Sequence, residues 1–126
     1  MKRIVMIAGA ALLALSAQAH AEGDAAAGEK VFKKCKACHA VGEGAKNKVG
    51  PELNAIVGRP IASIEGFKYS KSMIEFGADG KVWDEETLVA YLTKPKAVVP
   101  KTKMAFAGLR KEKDRDNILA YLKQFQ

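Results

Sequence analysis

The sequence predicts an all-α domain: a few short helices and loops wrapped around a centre, with the N- and C-terminal helices crossing. Three observations carry that expectation. The run Cys35-Lys36-Ala37-Cys38-His39 sets two thiols three residues apart, on the same side of a helical turn, with an imidazole beside them. Apolar residues recur at helical spacing near both ends of the chain, and there is neither a strand of convincing length nor an internal repeat. Between the helical stretches lie turn-rich segments of the kind that run along a prosthetic group.

The C-x-x-C-H spacing lets both sulfurs form thioethers to the two vinyl groups of one haem, and lets the following imidazole bind its iron. Other readings fail by counting. A structural zinc site needs four ligands, and the chain has two Cys and two His, one of them the early His20. A thioredoxin-like dithiol would need a strand before it, whereas Ala25 to Phe32 reads as helix. A plain disulfide leaves His39 without a role. One covalent haem c is therefore the expected cofactor.

Residues 1–21 read as a cleaved secretory signal peptide. Lys2 and Arg3 precede an apolar run from Ile4 to Leu15, and Ala19-His20-Ala21 supplies the small-x-small cleavage pattern. The run is short for a membrane span of about 20 residues, so an uncleaved anchor is the lesser alternative. Residues 22–126 then form one small domain, exported to the periplasm, whose limited core a haem would complete. Removing the leader takes two positive charges from the formal +7. A basic surface on an exported chain without a nucleic-acid motif points to an anionic membrane or an acidic protein partner.

Each element follows in order. Asp24 is placed to cap a first helix running to about the cysteines, with Gly28, Val31, Phe32 and Cys35 on its inner face. Gly28 there is unfavourable by about 1 kcal/mol against Ala, which makes sense where another helix crosses closely. Val41 to Val57 reads as a loop, closed by Gly58-Arg59-Pro60. A short helix is expected from Ser70 to Phe76, then a turn at Gly77 to Gly80. Asp84 caps the next helix, whose apolar side is Leu88, Val89, Tyr91 and Leu92, and Pro95 ends it. Pro95 to Gly108 is expected to be loop. The last helix, about Lys111 to Phe125, has Ile118, Leu119, Tyr121, Leu122 and Phe125 on its buried stripe, and Tyr121 is the large partner for Gly28.

His39 supplies one axial iron ligand; the other must be Met, Lys, water or nothing. Once the leader is removed, only Met73 and Met104 remain. Met73 falls in a short helix, where core packing explains it. Met104 falls in the proline-stiffened Pro100-Lys101-Thr102-Lys103-Met104, and a loop aimed at a fixed point suits a ligand; the plain alternative is a loop hydrophobe against the haem face. Histidine with methionine leaves no open coordination site, which favours an electron carrier over a catalyst of oxygen or peroxide chemistry.

Taken together these residues resemble class I cytochrome c, of the bacterial cytochrome c2 type, over essentially all of residues 22–126. The resemblance rests on the pentapeptide with Gly50-Pro51, Gly58-Arg59, Trp83, Tyr91-Leu92, Pro100 to Met104 and Ile118 to Leu122, in that order. It implies that Cys35 and Cys38 hold the haem and that His39 and Met104 ligate the iron. It further implies that the Pro51 carbonyl accepts the His39 ring N–H and that Tyr91 donates toward the Met104 sulfur. Arg59, Tyr69 and Trp83 match positions that hold the haem propionates, and Gly28, Phe32 and Tyr121 match the helix crossing. One position departs: Met73 stands where relatives often place asparagine.

The function that follows is a soluble periplasmic one-electron carrier and not an enzyme. It would take electrons from a quinol–cytochrome c oxidoreductase and pass them to a terminal oxidase or a photosynthetic reaction centre. Lys34, Lys36, Lys48, Lys96, Lys101 and Lys103 would meet the acidic docking faces of those membrane complexes, with Phe106 close by. A monomer without stable membrane insertion is expected. The alternative is a small haem peroxidase or gas-binding protein working through an opened Met104 position.

Overall fold

The computed structural model describes residues 23–126. The leader expected at 1–21 lies outside the described residues. Five α-helices carry the architecture: α1 (Ala25–Phe32), α2 (Lys71–Phe76), α3 (Glu85–Thr93), α4 (Pro95–Val98) and α5 (Glu112–Leu122). A 3₁₀ turn follows α2 at Ala78–Gly80, and another extends α5 through Lys123–Phe125. Among the described residues there is no strand. The closest approach to one is an isolated antiparallel bridge between Pro60 and Val82, flanked by the Gly58 N–H to Trp83 carbonyl and Trp83 N–H to Arg59 carbonyl bonds.

Helix α1 starts where Asp24 caps it, its carboxylate accepting from the Ala26 N–H at 2.8 Å and the Ala27 N–H at 3.3 Å. It packs across α5. Gly28 makes the crossing close, because a Cβ there would run into the Asn117 carbonyl and lie 2.7 Å from the Tyr121 Cβ. Phe32 meets Tyr121 with ring centroids 5.2 Å apart. The crossing also has a polar hook: the Asp24 N–H donates to the buried Asn117 Oδ1 at 2.8 Å. That bond joins residues far apart in the chain, and nothing local in the sequence announces it.

Helix α1 ends earlier than expected. After Phe32 the backbone tightens, with i→i−3 bonds from Lys33 to Lys30, Lys34 to Val31 and Cys35 to Phe32. The cysteines thus lie on successive turns beyond the helix proper. The second difference is α4. Pro95 does end α3, as expected, but its fixed φ also suits the first position of a new helix, so Pro95–Val98 is a helical turn where loop was expected. The core runs from the crossing through Leu88 and Tyr91 to Val99, Leu109 and Ile118, the last three almost wholly buried. Tyr121 and Phe125, expected on the buried stripe of α5, are only half covered and stack on each other at 5.1 Å.

Candidate functional site

The described chain surrounds one deep cavity whose walls are mostly apolar. Cys35, Cys38, His39, Pro51, Arg59, Tyr69, Trp83, Tyr91 and Met104, each singled out from the sequence, all line it. They come from separate places: the turns after α1, the long segment up to α2, the residue before the α3 cap, the last turn of α3, and the loop after α4.

The turn after α1 sets the first group. The Cys38 and His39 N–H groups both donate to the Cys35 carbonyl, at 3.1 and 2.9 Å, so the two cysteines sit one tight turn apart. Neither thiol is bonded to the other. Burial pushes the Cys35 thiol above its ordinary pKa, against the opposing pull of Lys34. His39 donates from Nδ1 to the Pro51 carbonyl at 2.7 Å, which fixes the tautomer and leaves the Nε2 lone pair for a metal. Burial lowers the His39 pKa, the Pro51 bond opposes that, and Arg59 and Lys48 add to the lowering. Gly50 lies against the same ring: a Cβ there would come within 2.7 Å of His39 Nδ1.

Arg59 is the buried cation of the site. Its Nη1 donates to the Glu52 carbonyl at 2.9 Å and the Asn54 carbonyl at 3.0 Å, and it pairs with the Glu52 carboxylate at 3.5 Å. Its Nε–H is buried without a hydrogen-bond partner. Burial draws the guanidinium below its usual pKa while Glu52 and Tyr69 resist. Tyr69 accepts the Ile64 N–H at 3.0 Å, leaving its hydroxyl proton to be donated. Trp83 stacks between Phe76 and Tyr91 at centroid distances of 5.9 and 5.1 Å.

On the methionine side the geometry departs from the expectation for Tyr91. Its hydroxyl pairs with Thr102 Oγ1 at 2.8 Å, not with the Met104 sulfur. Thr102 in turn accepts the Met104 N–H at 3.3 Å, so Tyr91 reaches Met104 through the threonine. Burial raises the Tyr91 pKa and the threonine bond opposes it. Sequence reading missed Thr102, Glu52 and Asn54. Thr102 carried a weak signal, as a hydroxyl two residues before the candidate ligand; the other two became visible only once the chain brought Arg59 over them. Met73 lines the cavity as well, beside its place in the core. Of the six candidate docking lysines, all are exposed, and Lys34 and Lys103 reach the cavity wall.

The donor set fits a haem. Two free thiols and an imidazole with its outer nitrogen uncommitted share a wall of an apolar cavity. The orphaned Arg59 Nε–H there is the partner an acidic ring substituent would need.

Comparison with known proteins agrees. A family model for cytochrome c matches residues 25–126. The chain is 60% identical over 100 residues to cytochrome c-550 of Ancylobacter novellus, covering 79% of this chain and 94% of that one. It is 56% identical over 100 residues to cytochrome c2 of Afifella marina, covering 79% and 81%. Among solved structures, cytochrome c2 from Rhodospirillum centenum superposes with a TM-score of 0.77 at 43% identity, covering 82% of this chain and 98% of that one. No described helix is long and apolar enough to cross a membrane. The chain belongs to the cytochrome c family, of the class I bacterial cytochrome c2 type, electron carriers with a covalently bound c-type haem rather than enzymes.

Proposed function

We propose that this chain is a periplasmic one-electron shuttle, exported by the leader at 1–21, with its haem attached through Cys35 and Cys38 and its iron held by His39 and Met104. The observation that carries this is the His39 Nδ1–H bond to the Pro51 carbonyl, which presents Nε2 in a cavity that Met104 also lines. A haem bound there supplies an iron that takes up and gives back one electron. The chain's own part is to keep that exchange free of other chemistry. His39, oriented by Pro51, and Met104, positioned by Thr102, would hold the iron between them and so leave oxygen and peroxide no place to bind. Arg59 and Tyr69 offer an unspent N–H and O–H to the propionates, and the apolar wall excludes water. The thioether favours the ferrous state and so a comparatively high reduction potential.

Electrons would come from a quinol–cytochrome c oxidoreductase and leave to a terminal oxidase or photosynthetic reaction centre. Lys34, Lys36, Lys48, Lys96, Lys101 and Lys103 supply the positive field for acidic docking faces on those complexes. Second-order rates with such a partner fall as ionic strength rises; rates indifferent to salt would remove the lysines from the reading.

The visible spectrum of the oxidised protein tests the ligand assignment. A weak band toward the red end, lost in Met104→Ala, is expected. A high-spin spectrum in the unaltered protein, with ready carbon monoxide binding, would instead favour the peroxidase or gas-binding alternative.

A further inference from the structure

The segment that brings Met104 to the cavity turns through a residue ill-suited to its backbone. The Thr102 N–H donates to the Val99 carbonyl at 3.1 Å, closing a four-residue turn over Pro100 and Lys101. Proline is well placed at the second position. The third has φ +62°, the left-handed region that a turn with proline in this place reserves for glycine or asparagine. Here it is a lysine. The described residues hold three other non-glycine positions at positive φ: Ala55, Ala62 and Asp79. None of these three lies in the Met104 loop, and none carries so long a side chain.

Nothing around Lys101 relieves this. Its side chain is exposed, and the turn is held at one end by Val99, wholly buried, and at the other by Thr102, tied to Tyr91. The conformation is therefore imposed by its neighbours. A left-handed residue bearing a Cβ is destabilised against glycine only while the turn is closed; once the loop swings away, the backbone of Lys101 relaxes to an ordinary conformation.

We propose that Lys101 is a positioning residue whose strained backbone sets how readily the Met104 loop opens from the iron. The strain works against closure, so the sixth ligand is held less tightly than the rest of the fold would hold it. The inference rests on the assignment of Met104 as ligand, which the red absorption band checks independently in every variant.

The test is the rate at which imidazole replaces Met104 in the oxidised holoprotein, a rate limited by loop opening when imidazole is in excess. Lys101→Gly removes the Cβ and the charge, while Lys101→Ala removes the charge but keeps the Cβ. With the red band intact in both, Lys101→Gly is expected to slow replacement roughly fivefold, the left-handed penalty less the extra freedom glycine gains in the open loop. Lys101→Ala is expected to stay near the parent rate. Equal slowing in both variants would assign the effect to the charge and overturn the proposal. An unchanged rate in Lys101→Gly would overturn it as well. Loss of the red band in the unaltered protein would sink the ligand assignment instead, so the two failures are distinguishable.

Discussion

His39 and Met104 reach the same cavity from segments built in different ways. Around His39 the chain is knitted to itself by backbone bonds: Gly50 N–H to the Cys38 carbonyl at 2.8 Å, Leu53 N–H to the Ala40 carbonyl at 3.0 Å, and Lys48 N–H to the Gly50 carbonyl at 2.9 Å. The Asn54 amide closes both the N–H and the carbonyl of Gly42, at 2.7 and 2.8 Å. Around Met104 the backbone bonds are local, from Thr102 to Val99 and from Phe106 to Met104. Between Val99 and Phe106 the short tie to the rest of the fold is a pair of hydroxyls, Tyr91 and Thr102, and the main chain is tied again only at Leu109, whose N–H donates to the Leu92 carbonyl at 2.7 Å. A longer one runs from Lys103 Nζ to the Lys68 carbonyl at 3.5 Å. The difference teaches where compliance resides. His39 is fixed by the main chain, whereas Met104 hangs on side chains and a strained turn.

That contrast is most sharply broken on the rigid side. Gly50→Ala places a methyl group against the His39 ring, within 2.7 Å of Nδ1 where the ring is already bonded to Pro51. The ring cannot yield without giving up that bond. The expected cost is about 1–3 kcal/mol of stability, the range for overpacking at a close-fitted site. Chemical denaturation of the holoprotein, with the yield of covalently loaded chain, measures it. A Gly50→Ala protein as stable and as fully loaded as its parent would show that the His39 side is as yielding as the other.

The same difference explains what could be read from residue order alone. Local chemistry was legible: the cap at Asp24, the cysteine spacing, the small Gly28 facing the large Tyr121, and the helix opened by Asp84, whose carboxylate accepts the Thr87 N–H at 2.7 Å. His39 with Pro51 was legible only through resemblance, because a turn of twelve residues must close before the bond exists. The site features that were missed are all non-local or conformational. Thr102 depends on α3 arriving beside the Met104 loop, and Asn117 on α1 arriving beside α5. The strain at Lys101 depends on both ends of its turn being held. Pro95 misled for another reason: the property that terminates α3 also opens α4, and the residue type does not say which will dominate.

A smaller effect sharpens the comparison from the compliant side. Tyr91→Phe removes the hydroxyl that pairs with Thr102 and keeps the ring, which is buried and stacked on Trp83. Packing should survive, so global stability falls by only about 1 kcal/mol, the net worth of a neutral hydrogen bond. Thr102 still accepts the Met104 N–H at 3.3 Å, a long bond that orients the loop without anchoring it. The loss should therefore appear first at the loop. On titration with denaturant, the red band of the oxidised protein should fade well before the helical circular dichroism, whereas in the parent the two transitions lie closer together. Coincident transitions in Tyr91→Phe would mean that the hydroxyl pair is not what ties the loop down, and the asymmetry between the His39 and Met104 segments would then need another origin.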